Sequence, residues 1–156
     1  MTRPTLILTI ICALTSIGVL ADVHQLESDE DKIREAYAAY ADSFMASDFA
    51  AVADKFTYPV SFKINDLSFV PSSIILHGHK EMIEFYKSLR ENIQEGYSYS
   101  TVDGISLEKT QEGYVADVTY SRFNAKDELL IEGRGLYFYR EVDGYWKMYA
   151  VEVPEE

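Results

Sequence analysis

Two histidines, two acids, an arginine and a tyrosine carry the chemistry this chain could perform. His77 and His79 stand in a His-x-His step. A histidine titrates near neutrality and is the natural general base for a dehydratase or lyase, whereas a histidine at the surface or at a helix start is the commoner role and the favoured reading. The same spacing would suit a metal, but no third ligand accompanies it, so no metal is expected. Asp117, Glu132 and Arg134 are charges inside strand-like runs. Facing one enclosed pocket they would supply two acids and an anion clamp with perturbed pKa values. Facing solvent, Asp117 and Arg134 would pair across neighbouring strands, and that pairing is favoured. Tyr58, before Pro59, is a poor base with a pKa near 10 but a competent hydrogen-bond donor to an oxyanion; core packing is the favoured role. There is no Gly-rich phosphate loop and no placeable Ser-His-Asp order, and Gly133-Arg134-Gly135 is too little for a dinucleotide site, so no cofactor is expected.

Composition narrows the classes. The chain has 156 residues, 47% hydrophobic and 13% aromatic, which suits one globular domain. Its net charge of −12, from 14 basic and 26 acidic residues with no basic cluster, argues against a nucleic-acid partner. Residues 1–21 read as a signal peptide: Arg3 precedes an apolar run, Leu6 to Ala21, with Val19 and Ala21 at the −3 and −1 places of a cleavage site. The run is short for a membrane span, so an uncleaved anchor is the lesser reading. Cleavage would export the chain to a periplasmic or extracellular space without stable membrane association. It would also remove Cys12, the single cysteine, leaving no disulfide and no thiol chemistry.

The elements that must position these residues follow in order. After a spacer at 22–27, Ser28-Asp29-Glu30-Asp31 resembles a capping box, and Ile33, Ala36, Tyr37, Tyr40 and Phe44 form the apolar stripe of a long helix. Ser47-Asp48 can cap a short second helix through Lys55, which Pro59 bars from passing Tyr58. Val60–Ile64 alternates as a strand, Leu67–Val70 returns as another, and Ile74–Leu76 is a brief apolar strand. A third helix runs from Gly78 to about Glu95, with Gly96 placed at its C-terminus. Strands follow at Tyr97–Glu108 and Tyr114–Phe123, then a long hairpin from Leu129 to Val153 turning at Asp143-Gly144. A two-residue turn pairs Tyr137 with Ala150 and Tyr139 with Met148; a three-residue turn pairs Tyr139 with Lys147. Both registers leave aromatics on both sheet faces, so both faces should be covered. Helices first and strands after predict an α+β fold, with one domain at 28–153 and a tail at 154–156.

This order resembles the nuclear transport factor two-like superfamily, whose relatives include SnoaL-like cyclases, ketosteroid isomerases and scytalone dehydratase. The likeness rests on Tyr58-Pro59-Val60 at the start of a strand, Leu76-His77-Gly78 leading into the third helix, and a meander closing on Asp143-Gly144-Tyr145-Trp146-Lys147. Small uncharacterised exported members share Tyr-Pro-x-x-Phe, here Tyr58 to Phe62, and Tyr-x-Arg, here Tyr120 to Arg122. The resemblance implies a cone-shaped barrel of curved antiparallel sheet wrapped around the long N-terminal helix, with two further helices. It also implies a homodimer through the outer sheet face. His77 would lie where a strand meets the third helix. Ketosteroid isomerases place an acidic base just before the proline, where this chain has Tyr58, which weighs against that mechanism. Tyr37, Tyr40, Tyr58, His77 and Trp146 would line the pocket, and Tyr58, His77, Asp117 and Glu132 are the weak catalytic candidates. Three readings follow: a cone binding a small apolar ligand without established catalysis; an isomerase, dehydratase or cyclase using His77 with a tyrosine or acid; and a dimerisation or protein-interaction module with a filled cone.

Overall fold

The computed structural model describes residues 27–65 and 71–154. The expected signal peptide at 1–21 and the expected strand at Leu67–Val70 lie outside the described residues.

Helix α1 spans Asp29–Met45. The Ser28 hydroxyl oxygen accepts from the Asp31 amide at 3.1 Å and donates to the Asp31 carboxylate at 2.6 Å, and three acids fill the first turn, where the helix dipole favours them. Its buried stripe is Ile33, Tyr37 and Tyr40, with Ala36 and Phe44 packed beside it. Asp48 caps α2 (Phe49–Ala53) by accepting from the Ala51 amide at 3.0 Å. Strand β1 (Phe56–Ile64) begins earlier than the alternation suggests and contains a cis Tyr58–Pro59 bond. β2 (Ser73–Leu76) pairs back on it antiparallel. Helix α3 spans His79–Asn92; Gly96 takes a positive φ, but within the turn into β3 rather than at the helix end itself. β3 (Tyr97–Lys109), β4 (Tyr114–Asn124), β5 (Leu129–Val142) and β6 (Tyr145–Val153) then form an antiparallel meander.

The six strands make one curved sheet in the order β2-β1-β6-β5-β4-β3. The fold is α+β as expected, with two refinements. The sheet is mixed, because β1 lies parallel to β6, and it is open, with β2 and β3 as edges. The parallel pair follows from the meander: its last strand returns beside β1 in the same direction. The five-residue step from Phe56 to Ser61 faces a two-residue step from Met148 to Ala150, so β1 bows away from its neighbour at Pro59.

Asp143 and Gly144 both take positive φ, 52° and 81°, closing a two-residue turn between Val142 and Tyr145. Tyr139 therefore pairs with Met148. A bulge at Tyr149 then moves Tyr137 opposite Val151 instead of Ala150. Met148 and Val151 thus both face inward, while Tyr149 turns outward, with its ring against Phe138 and below the Arg140 guanidinium. The concave face of the sheet presses Ala116, Val118, Tyr137, Tyr139, Met148 and Val151 against the stripes of α1 and α3.

Candidate functional site

Between the C-terminal half of α1, the second half of α3 and the end of the sheet where β6 finishes and β5 begins, the core opens into a cavity of about 520 Å³. That volume is within the range of small-molecule sites, roughly 300–1,000 Å³. Its walls are aromatic and aliphatic: Phe44 and Tyr40 from α1, Tyr86 and Leu89 from α3, Phe62 from β1 and Val151 from β6. The polar residues of the lining are Gln94, Ser100, Thr101, Tyr120, Arg122 and Arg134, of which Thr101 donates to Asp103 and Arg134 to Asp117. Among the described residues no Asp, Glu or His lines it.

The walls are held by ring packing. Tyr37 stands edge-on to Tyr137, with centroids 4.9 Å apart, and Tyr40 meets Tyr86 at 6.0 Å. The Tyr40 and Tyr86 hydroxyls share a buried hydrogen bond of 3.0 Å. Burial pushes the pKa of Tyr37, Tyr40 and Tyr86 well above the ordinary tyrosine value. Tyr137 is pushed up to about 12, first by burial and then by nearby Tyr120, against the opposing influence of the Tyr37 hydroxyl and the Arg122 charge. These hydroxyls are therefore neutral at physiological pH: they can orient a ligand, and none is a base there.

Two glycines shape the floor. In β5, Gly133 lies opposite Tyr120, and a Cβ built on it would stand 2.7 Å from the Tyr120 ring. The Tyr120 ring rests on bare backbone. Gly135 does the same for the Tyr137 ring, at 2.8 Å. Arg122, two residues beyond Tyr120 on the same face, donates to the Tyr120 hydroxyl at 3.2 Å, and its guanidinium carbon lies 4.8 Å from that ring's centroid and 6.0 Å from that of Tyr97.

Of the residues expected to line a pocket, Tyr37 and Tyr40 border the cavity and Tyr58, His77 and Trp146 do not. The Tyr58 hydroxyl donates to the Ala53 carbonyl at 2.9 Å, tying β1 to α2, and burial pushes its pKa up to about 12. Trp146 packs edge-on to Tyr114 near the Asp143-Gly144 turn, the opposite end of the sheet. His77 is exposed, and its backbone N–H donates to the Glu81 carboxylate at 2.7 Å, tying the chain before α3 to the helix's first turn. His79 meets Asp54 at 3.0 Å, also exposed.

The catalytic candidates are not brought together. Asp117 and Arg134 pair on the convex face through two hydrogen bonds of 2.7 and 2.5 Å, and this guanidinium holds the Asp117 carboxyl below the usual carboxylate range. Glu132, paired with Ser121 in the register, shares that outer face and is exposed. Among the described residues no three of His, Cys, Asp and Glu converge on a possible metal site. Sequence reasoning passed over Tyr120, Arg122, Gly133 and Gly135 as site residues. Their signal was the period of two, because Tyr-x-Arg and Gly-x-Gly in neighbouring strands put rings and gaps on one face.

No family profile and no curated protein matches the chain in sequence. Solved structures do match in shape. A protein of unknown function with a cystatin-like fold from Nostoc punctiforme superposes with TM-score 0.65 at 13% identity, covering 80% of this chain and 89% of that one. An NTF2-like protein of unknown function from Pseudomonas putida gives 0.64 at 11% identity, covering 79% and 83%. An NTF2-like protein with a cystatin-like fold from Novosphingobium aromaticivorans gives 0.60 at 12% identity, covering 80% and 79%. The chain therefore has the NTF2-like, cystatin-like fold; at these identities the likeness extends to fold alone.

Proposed function

We propose that this protein binds a small apolar molecule in the cavity of its cone. The carrying observation is the cavity itself, about 520 Å³ walled by aromatic and aliphatic side chains with a few polar groups. A filled-cone interaction module would leave no such space. A general base at neutral pH would have to come from outside the described lining, since His77, Tyr58, Asp117 and Glu132 all stand away from it. A native mass spectrum of the chain taken gently from its host tests the reading. A reproducible adduct of small-molecule size supports it; a bare chain that also takes up no apolar dye would sink it.

Two further expectations belong to this reading. The outer sheet face bears a half-buried apolar row, Val115, Phe138 and Ala150, paired across three strands, which suits a second copy of the chain. The apolar run before Ala21 suits export with cleavage after that residue, read directly from the N-terminal sequence of the protein recovered from its host. Among the described residues no helix is long and apolar enough to cross a membrane.

A further inference from the structure

We infer that the cavity's ligand is an apolar carboxylate and that Arg122 is the residue that selects it. The inference rests on the cavity-binding reading and adds the chemical class of the ligand.

Arg122 is out of keeping with its surroundings. In a chain of net charge −12, it projects a guanidinium into a cavity otherwise lined by apolar and neutral polar side chains and bordered by Arg134, whose guanidinium is engaged by Asp117. Among the described residues the ion pairs are Lys32–Asp29, His79–Asp54 and Arg134–Asp117, so no carboxylate neutralises Arg122. One of its nitrogens donates to the Tyr120 hydroxyl. Arg122 is half-buried, and a cation partly withdrawn from water without a counter-ion is a site where an anionic ligand gains a charge-assisted partner.

The surroundings orient it. The Tyr120 ring beneath it is seated by the missing side chain of Gly133, and the Tyr97 ring beyond has a second guanidinium, Arg90, 4.4 Å from its centroid. Arg90 donates to the Ser98 carbonyl and likewise has no carboxylate partner among the described residues. Ser100 lies directly across the sheet from Arg122, and the buried Gln94 side-chain oxygen, also at the cavity, has no hydrogen-bond partner. Positive charge and hydroxyls thus gather where β3 and β4 pair at the cavity, while Phe62, Leu89 and Val151 supply apolar lining.

A planar guanidinium matches the two oxygens of a carboxylate in a fork. Arg122 is the guanidinium that faces the cavity, and Arg90, over the Tyr97 ring beyond, is turned to the Ser98 carbonyl. The apolar walls then take the hydrocarbon or aromatic body of the acid.

The experiment compares decanoate with decanol by titration calorimetry on the full chain at neutral pH. The two share a tail and differ in the charged head. Decanoate binding about tenfold or more tightly supports the inference, and Arg122→Gln should bring the ratio to about one. Equal affinities in the unaltered chain, or a preference that survives in Arg122→Gln, would overturn the clamp and leave the cavity reading standing. Binding of neither probe would overturn both. If Arg122→Gln does not fold, Arg122→Lys takes its place; it keeps the charge without the fork and should retain part of the preference, and a full preference there removes the fork from the argument.

Discussion

Alkali should unfold this protein through its tyrosines. Tyr37, Tyr40, Tyr86, Tyr137 and Tyr139 are buried, and burial raises the pKa of each above the ordinary value of 10.0. The unfolded chain releases these protons first, near pH ~10, so the stability they contribute is complete below that pH and is lost as pH climbs toward the folded values, the lowest of them about 12 at Tyr137. Each such group costs about 1.4 kcal/mol per pH unit in that window, so five together remove roughly 7 kcal/mol over one unit. That matches the whole stability of an ordinary domain, ~5–15 kcal/mol, so the transition should fall near pH ~11. Tyrosinate absorbance followed alongside circular dichroism measures it: several of the 12 tyrosines should titrate at once, together with loss of structure. The Tyr139 hydroxyl is buried without a partner, so Tyr139→Phe should raise the midpoint and add up to about 1 kcal/mol at neutral pH. A smooth titration of all tyrosines near pH ~10 with the fold intact would refute the reasoning.

Other perturbations probe other links. Tyr40→Phe and Tyr86→Phe should each cost about 1–2 kcal/mol in urea melts, and the double variant clearly less than their sum, since it removes both hydroxyls of one buried bond; additive costs would count against that bond. Tyr40→Phe should be the costlier single change, because Tyr40 without its partner still has the Tyr137 hydroxyl beside it. Gly113 has φ of 153°, and a Cβ there would run into the Tyr139 carbonyl oxygen, so Gly113→Ala should lower stability by about 3–5 kcal/mol; a shift under ~1 kcal/mol would mean the β4–β5 approach is looser than described. Asp117→Asn should cost under about 1 kcal/mol in the same melts despite its short bonds, because the pair faces solvent. Carboxyl resonances followed by NMR should place the Asp117 pKa below that of a free aspartate.

Where local chemistry decides structure, the sequence was legible. Ser28 and Asp48 cap their helices with their own side chains, and Asp143-Gly144 closes the hairpin in the positive-φ conformation that those residues permit. The stripe through Ile33, Tyr37 and Tyr40 follows from helical spacing alone. The Tyr149 bulge was not legible, because nothing near it distinguishes Tyr137 opposite Ala150 from Tyr137 opposite Val151; the choice is made by which side chains the two helices will cover. The site divided similarly. Tyr37 and Tyr40 ride on the helix whose facing was clear, whereas Tyr58, His77 and Trp146 were assigned by their place along the chain, which does not tell which end of the sheet is hollow. Asp117 and Arg134 form the cross-strand pair that spacing favoured, meeting on the diagonal because Arg134 lies opposite Thr119.

The parallel seam between β1 and β6 has a consequence in time. Ser61 and Ala150 are neighbours in the sheet although 89 positions separate them in the chain. Until the last strand leaves the ribosome, β1 and β2 are a two-stranded hairpin, which is marginal in water, and the meander lacks the partner for its final edge. Assembly of the sheet is thus deferred until β6 is made, and loop closure over so long a span makes folding slow relative to a helical bundle. The last strand of the sheet to be made is the one that locks its first strand in place.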